Sequence, residues 1–361
     1  MSNQDVYERL REHMDNTQPI GYPATKSGVE LRLLRHVFTE EEAELACYLS
    51  PLPEPAEQVA KRIGRDPAEI ETLLETMGRK GSVYRSRARG ITTFRAVPLA
   101  IGFYEHQVAS LTKEFAEDFE QYIEEAFRDE MISKTPQLRV VPINASITPT
   151  MEIASYEDAR ELIRQQSKIA LAECICKKEK GLLGKECEKP TEVCFAFSSG
   201  AYYYIENNLG WEVTHEEALQ VLDQAEQAGL VLSPGNAQKA FAMCLCCGCC
   251  CGILTNLKKM PKPSSFAATN YYAQSNPELC SGCETCLDRC QMDAITIQDD
   301  VTTIDLDRCI GCGLCVTTCP EDALTLIKKE KKQVFIPPAN VAELYMKIGA
   351  ERQQERESKS S

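Results

Sequence analysis

Every cysteine but Cys47, out of 19, falls between Cys174 and Cys319. No other feature constrains the chain as strongly. Thiolates packed this densely repel one another unless a cation holds them, and free thiols in such number are readily oxidised. They form four groups. The first is Cys174, Cys176, Cys187 and Cys194; the second is Cys244, Cys246, Cys247, Cys249, Cys250 and Cys251. The third is Cys280, Cys283, Cys286 and Cys290, and the fourth is Cys309, Cys312, Cys315 and Cys319. The opening MSNQDVYERLREHMD is polar and lacks the apolar centre of an export signal. A disulfide framework is therefore not expected, and the cysteines read as metal ligands in an oxygen-poor cytoplasm. Cys47, inside AELACYL, reads instead as a small core residue.

The 361 residues suit two or three domains, and 43% hydrophobic residues suffice for real cores. No apolar run is long enough to predict a membrane span. With 54 acidic against 40 basic side chains, the net charge of −14 argues against phosphate-backbone binding as the main task. The expected fold class is α+β and multidomain. A winged helix-turn-helix-like domain is expected at 1–104, an acidic linker helix at 105–136 and a mainly helical Cys-rich domain at 137–265. A ferredoxin-like dicluster domain is expected at 270–330, with a short helix and disordered tail at 331–361.

The N-terminal expectation rests on punctuation. Thr39 with Glu42 predicts a capping box, Gly64 and Gly81 stop two helices, and Asp66-Pro67 starts the second of them. SVYRSRARGITTFRAVP then reads as a hairpin turning at Arg89-Gly90. Helix, helix, helix, hairpin is the order of a winged helix. Arg85, Arg87, Arg89 and Arg95 make the wing basic, but Asp66, Glu69, Glu71 and Glu75 occupy the recognition-helix position, which argues against DNA. Residues 105–131 read as one long acidic helix with a solvated face.

In the central part, Gln137–Ile143 reads as a short strand and Tyr156–Cys174 as a helix. Gly181 and Gly184 let the cysteine loop turn. It is not a phosphate loop, since Glu179 stands where the first glycine belongs and Glu186 where Ser or Thr is required. Its lysines read as solvated, or as partners of a thiolate-held metal. Thr214 and Glu217 cap a helix ending at Gly229, ahead of a strand LVLS. His215 reads as an ordinary helix residue, because Leu219 occupies the second position of a metalloprotease motif. The ten cysteines of the first two groups exceed what one cubane needs. They predict one or two jointly built metal sites, a third [4Fe–4S] cluster or Zn, with iron–sulfur ahead of zinc.

CSGCETCLDRCQ and CIGCGLCVTTCP each carry C-x2-C-x2-C-x3-C. They resemble the two cluster motifs of bacterial-type dicluster ferredoxins, in which three cysteines wrap one cubane and the fourth caps the other. The resemblance implies two [4Fe–4S] clusters. One would take Cys280, Cys283, Cys286 and Cys319; the other would take Cys309, Cys312, Cys315 and Cys290. Gly282, Gly311 and Gly313 would admit close backbone approach. Gln291 departs from the proline usual after the first motif, whereas Pro320 keeps it after the second. AITI and ALTLI after the motifs predict symmetric strands. The whole layout also resembles a group of iron–sulfur proteins of anaerobes with a similar C-x-C…CC-x-CC region before two clusters.

The function expected is single-electron transfer at low potential, as an electron carrier or oxidoreductase subunit rather than a stand-alone enzyme. Between Glu278 and Ile327 carboxylates far outnumber Arg289 and Arg308, which predicts docking on a basic patch of a redox partner. Two alternatives stay open. One is a redox enzyme or reductive activator using the central cysteines, though His106 and His215 are isolated. The other is an iron–sulfur-sensing winged-helix regulator. GxGxxG is absent, which argues against a built-in NAD or flavin dehydrogenase.

Overall fold

The computed structural model describes residues 5–88, 90–132 and 134–360. Arg89 of the expected wing lies outside the described residues. Five helices open the chain: α1 (Val6–Thr17), α2 (Val29–Val37), α3 (Glu40–Ala46), α4 (Ala56–Ile63) and α5 (Pro67–Lys80). Thr39 and Glu42 form the expected capping box, and Gly64 and Gly81 end α4 and α5 in the left-handed conformation. A hairpin of β1 (Tyr84–Ala88) and β2 (Ile91–Arg95) follows. Its basic character is spent internally. Arg85 is buried and binds Glu75 at 2.7 Å and Glu206 at 2.9 Å. Arg87 pairs with the same two carboxylates, and Arg95 lies over the Tyr84 ring.

The acidic segment after it is not a free connector. α6 (Lys113–Tyr122), capped by Thr112, runs through a π-turn into α7 (Arg128–Met131). Phe115, Phe119 and Tyr122 are buried against the N-terminal helices, while carboxylates occupy the outer face. The Phe–Tyr spacing at three and four residues is what turns one side of this helix inward.

The central part is not mainly helical. It is built on a five-stranded antiparallel sheet in the order β5-β3-β4-β7-β6. The strands are β3 (Ile169–Glu173), β4 (Glu192–Phe197), β5 (Trp211–Glu212), β6 (Val231–Pro234) and β7 (Ala242–Cys246), with α8 (Ala159–Arg164), α9 (Ile175–Leu182), α10 (Ser199–Glu206) and α11 (His215–Gln227) around them. The helix expected over Tyr156–Cys174 stops at Arg164, because Ile169–Glu173 alternates large and small side chains and pairs with a strand on each side. Gln137–Ile143 makes isolated bridges rather than a strand. Leu171, Phe195, Phe197, Met243 and Leu245 face one side of the sheet and pack with α8 and α11. Ala170, Ala172, Cys194 and Ala196 face the other, against Tyr203, Tyr204 and the N-terminal helices. One continuous core therefore joins the N-terminal helices, the acidic segment and the small-residue face of the sheet.

After α12 (Gly252–Lys258), the C-terminal region consists of β8 (Tyr271–Ser275), α13 (Thr285–Arg289), the hairpin β9 (Ile295–Gln298) and β10 (Val301–Ile304), and β11 (Leu324–Lys328), which returns to pair with β8. β9 and β11 fall on the two expected strands.

The expected disordered tail is helical. α14 (Val341–Ser360) buries Leu344 and Ile348 in the N-terminal core. Arg352 reaches Asp15 at 2.6 Å and Glu130 at 2.8 Å, with its side chain 13% exposed. Burial alone would raise the Asp15 carboxyl, but Arg352 and Arg356 hold it below its ordinary value. This pair thus stabilises the fold above the ordinary carboxylate range and loses its effect as pH falls through it. Arg352→Met leaves Asp15 with Arg356 and Glu130 with the Gly21 amide, and is expected to cost about 2 kcal/mol, read as a lower urea midpoint at pH 7 and a smaller difference at pH 3.

Candidate metal centres

The ten central cysteines separate into two neighbourhoods. The first is the turn between β7 and α12. Cys247, Cys249 and Cys250 from that turn meet Cys187 from the loop after α9, with all four sulfurs within 4.8 Å of one another. Such a group can hold a metal ion: a tetrahedral Zn–S distance of about 2.3 Å sets sulfurs roughly 3.8 Å apart. Cys249 is exposed and Cys247 and Cys250 are buried, so the site opens to solvent on one side.

Lys177, on α9, is the cation of this site. Its side chain is buried, and Nζ lies 3.6 Å from both Cys187 Sγ and Cys247 Sγ. Burial would raise the Cys247 thiol, yet Lys177 pulls it down to about 7. Of the two readings of the loop lysines, the electrostatic one holds for Lys177. Lys180 and Lys185 bind Glu120 instead. Lys177 thus favours the Cys247 thiolate that a metal ion takes as ligand. With Lys177→Met the thiol holds its proton more firmly, and metal capture has to expel more of it. Zinc affinity at pH 7 is expected to fall roughly tenfold, with a steeper rise towards pH 9, in chelator competition. An unchanged pH profile would remove Lys177 from this role.

The second neighbourhood holds Cys174, Cys176, Cys194, Cys244, Cys246 and Cys251. All six line a cavity of about 100 Å³, which Cys247 and Lys177 of the first site line as well. Alternation along the strands sets them there: Cys194 and Cys244 are direct cross-strand partners, and Cys246 follows two residues on. Cys174 follows β3 and caps α9, Cys176 lies in the first turn of α9, and Cys251 caps α12. The opposite wall is apolar, with Phe119, Ile123, Leu138 and Leu254. Two acids at the edge carry no sequence signal. Glu105 accepts from the Gly102 amide at 2.7 Å and Glu179 from the Tyr104 hydroxyl, and burial pushes both up to about 7.

The two histidines do not join these sites. His106 is buried with Nδ1 3.0 Å from the Gly81 carbonyl, and burial lowers it to about 4; His215 Nε2 lies 3.0 Å from the Gln166 carbonyl. Cys47 is half-buried against the N-terminal core, its thiol pushed by burial to about 11.

In the C-terminal region, Cys290, Cys309, Cys312 and Cys315 line one small cavity between α13 and β9. Each of Cys290, Cys312 and Cys315 is raised first by burial and then by its thiol neighbours. Cys280 and Cys286 lie beside Thr302, whose hydroxyl is 3.4 Å from both sulfurs, and Cys283 Sγ lies 3.5 Å from the Thr285 hydroxyl. Cys319 lies beside Cys286 and Cys315 in the same small core. Amides point at sulfur in a repeated pattern: Ala294 N to Cys290 Sγ at 3.2 Å, and Ala323 N to Cys319 Sγ at 3.3 Å. Thr302 N donates to Cys280 and Ala273 N to Cys309. Gly311 adopts a positive φ, and a Cβ there would overlap the Tyr271 carbonyl. These thiols, amides and side-chain-free turns fit a thiolate-held iron–sulfur group.

Gln291 is the residue sequence reasoning under-read. Its Oε1 accepts from the Gly248 amide at 2.8 Å, and its carbonyl crowds the Gly248 Cα. The residue after Cys290 therefore touches the residue between Cys247 and Cys249. A proline at 291 would have no such acceptor.

Residues 302–325 match the family model of the 4Fe-4S binding domain, a stretch that contains Cys309, Cys312, Cys315 and Cys319. The C-terminal part of the chain thus carries a ferredoxin-type 4Fe-4S domain, and with it an iron–sulfur electron-transfer role. No curated protein and no solved structure matches the chain. Among the described residues, no helix is long and apolar enough to cross a membrane.

Proposed function

We propose that this protein carries single low-potential electrons between redox partners through two [4Fe–4S] clusters, with a further metal at the Cys187–Cys247–Cys249–Cys250 site. Cys280, Cys283, Cys286 and Cys319 hold one cluster, and Cys309, Cys312, Cys315 and Cys290 the other. The observation that carries the reading is the convergence of Cys290, from the first motif, with the three closely spaced cysteines of the second. Clusters of this kind exchange one electron at a time at potentials set by charge and hydrogen bonds to sulfur. The amides of Ala273, Ala294, Thr302 and Ala323 supply those hydrogen bonds.

The Gly248–Gln291 contact supports a role for the central metal as an extension of the electron path. Partner choice follows from the surface. All ten carboxylates between Glu278 and Asp322 are exposed, whereas Arg289 and Arg308 turn inward onto backbone carbonyls. Leu279 and Leu306 are about half exposed among them. An acidic rim around apolar side chains fits a redox protein with a basic patch. Exposed Cys249 and Cys283 call for an oxygen-poor cytoplasm.

The test is anaerobic quantification of iron, acid-labile sulfide and zinc, with reduction followed by electron paramagnetic resonance. About eight irons and eight sulfides assignable to the C-terminal cysteines, reducible one electron at a time, are expected from two cubanes. Protein without iron, or iron that dithionite leaves unchanged, would overturn the reading.

A further inference from the structure

The outer thiols account for four of the ten central cysteines. The other six line one cavity. Within it Cys174 neighbours Cys176, Cys194 neighbours Cys244, Cys244 neighbours Cys246, and Cys246 neighbours Cys251. Cys251 and Cys176 line the same cavity, which closes the arc. We propose that these six cysteines form a second, separate centre that binds a polynuclear iron–sulfur cluster inside the protein.

Three observations carry this. The first is number and enclosure. Six thiols on one cavity have no structural use that two or three alanines would not serve, since the same sheet face already packs with Ala170, Ala172 and Ala196. The second is spread. Among the described residues only Cys187, Cys247, Cys249 and Cys250 draw together tightly enough for a single ion. The inner six are distributed around about 100 Å³ instead. A mononuclear tetrahedral site needs its sulfurs about 3.8 Å apart; a cubane, with one thiolate on each iron, needs them farther apart around a larger body.

The third is the arrangement of charge. Lys177 is directed at the outer site, and Arg139 gives its guanidinium to the carbonyls of Gly235, Ala237 and Tyr156. Lys177 also acts on Cys174, but one cation does not neutralise six thiolates, and a metal cluster is the positive charge that can. The thiols release their protons on binding, and the cluster iron takes their place. The apolar wall of Phe119, Ile123, Leu138 and Leu254 keeps water from the bound group. Four of the six suffice as terminal ligands for a cubane, so the site has room for a larger cluster or for ligand exchange.

This centre is independent of the C-terminal ligand sets, and the experiment separates them. The full chain is reconstituted anaerobically with ferrous iron and sulfide, then assayed for iron, sulfide and zinc. Three variants are compared: Cys194→Ser/Cys244→Ser/Cys246→Ser, which leaves the inner centre three thiols, Cys249→Ser/Cys250→Ser for the outer one and Cys312→Ser/Cys315→Ser for the C-terminal domain. The inner variant is expected to lose about four irons per chain or more, with the C-terminal resonance retained. The outer variant is expected to lose zinc only, and the C-terminal variant its own irons only. Because the inner variant could misfold, the wild type is also alkylated with and without iron, and each cysteine is read by mass spectrometry. Iron-dependent protection of all six inner cysteines is expected even when the C-terminal ones are already blocked. An inner variant with the full wild-type iron content overturns the proposal. So does wild-type protein whose Cys194 and Cys244 are isolated as a disulfide without iron.

Discussion

Stripping iron is expected to unfold residues 271–328 and leave α1–α6 folded. The reason is the size of what remains. The region's own buried core is Ala273, Cys286, Ile295, Cys315 and Leu324, with Leu287, Cys290, Ile297, Ile304, Cys309, Val316 and Cys319 half-buried around it, while Met292, Ala294, Ile310 and Leu314 pack into the larger central core. Its strands form two separate two-stranded ladders, β8 with β11 and β9 with β10. An isolated two-stranded ladder is marginal in water, and a small core in which five of twelve side chains are thiols gains little from burial. Here the free energy of binding iron becomes free energy of folding. Hydrogen exchange should show amides of Tyr271–Ser275 and Leu324–Lys328 losing at least about 100-fold protection without iron. Those of α2 and α5, packed in a large apolar core, should change little. Equal protection of β8 and β11 with and without iron would show that side chains alone hold the region.

The second large effect is expected at Gly248. A Cβ there would overlap the Gln291 carbonyl, which is backbone and cannot swing aside. Gly248→Ala therefore separates the thiol turn from the residue after Cys290, at a cost of about 2 kcal/mol or more. Gly252, four residues on at the start of α12, meets nothing within 4 Å. Gly252→Ala is the control and should be neutral or slightly stabilising. If the central metal extends the electron path, Gly248→Ala also slows reduction of one centre by the other in freeze-quench kinetics, whereas Gly252→Ala does not. A thermal midpoint equal for both variants would show that the two segments are not held against each other.

Several local features were legible from single residues. Thr39 with Glu42 and Thr214 with Glu217 form their capping boxes, because a cap needs only four consecutive residues. Gly64, Gly81 and Gly229 take positive φ after α4, α5 and α11 for the same local reason. The strands after the two C-terminal motifs were visible as short β-branched runs. Of the central sheet only β6 was expected, as the strand LVLS; the rest was missed, although Val193–Phe197 and Ala242–Cys246 alternate small with large. Cysteine is both small and chemically loaded, and its reading as ligand hid its place in a strand. The solvated connector over 105–131 failed because the aromatic residues of α6 were outvoted by its carboxylates in composition, while packing responds to position. The short helix expected near Ala342–Ile348 is present, but it runs on through the expected disordered tail, because Arg352 continues the helix face of Leu344 and Ile348 that docks on α1.

The two C-terminal cysteine motifs were legible by their resemblance to ferredoxin cluster motifs, and the family match over residues 302–325 bears out the second, because three of its cysteines lie within seven residues of chain. That is a local constraint, and local constraints survive in a linear text. The division of the ten central cysteines does not. Cys187 joins Cys247, Cys249 and Cys250, while Cys246, one peptide from Cys247, lines the inner cavity and takes no part in that group. Which thiol goes where is set by strand alternation, by the turn at Gly248 and by a buried lysine sixty residues or more away along the chain, and only the folded arrangement brings those three together.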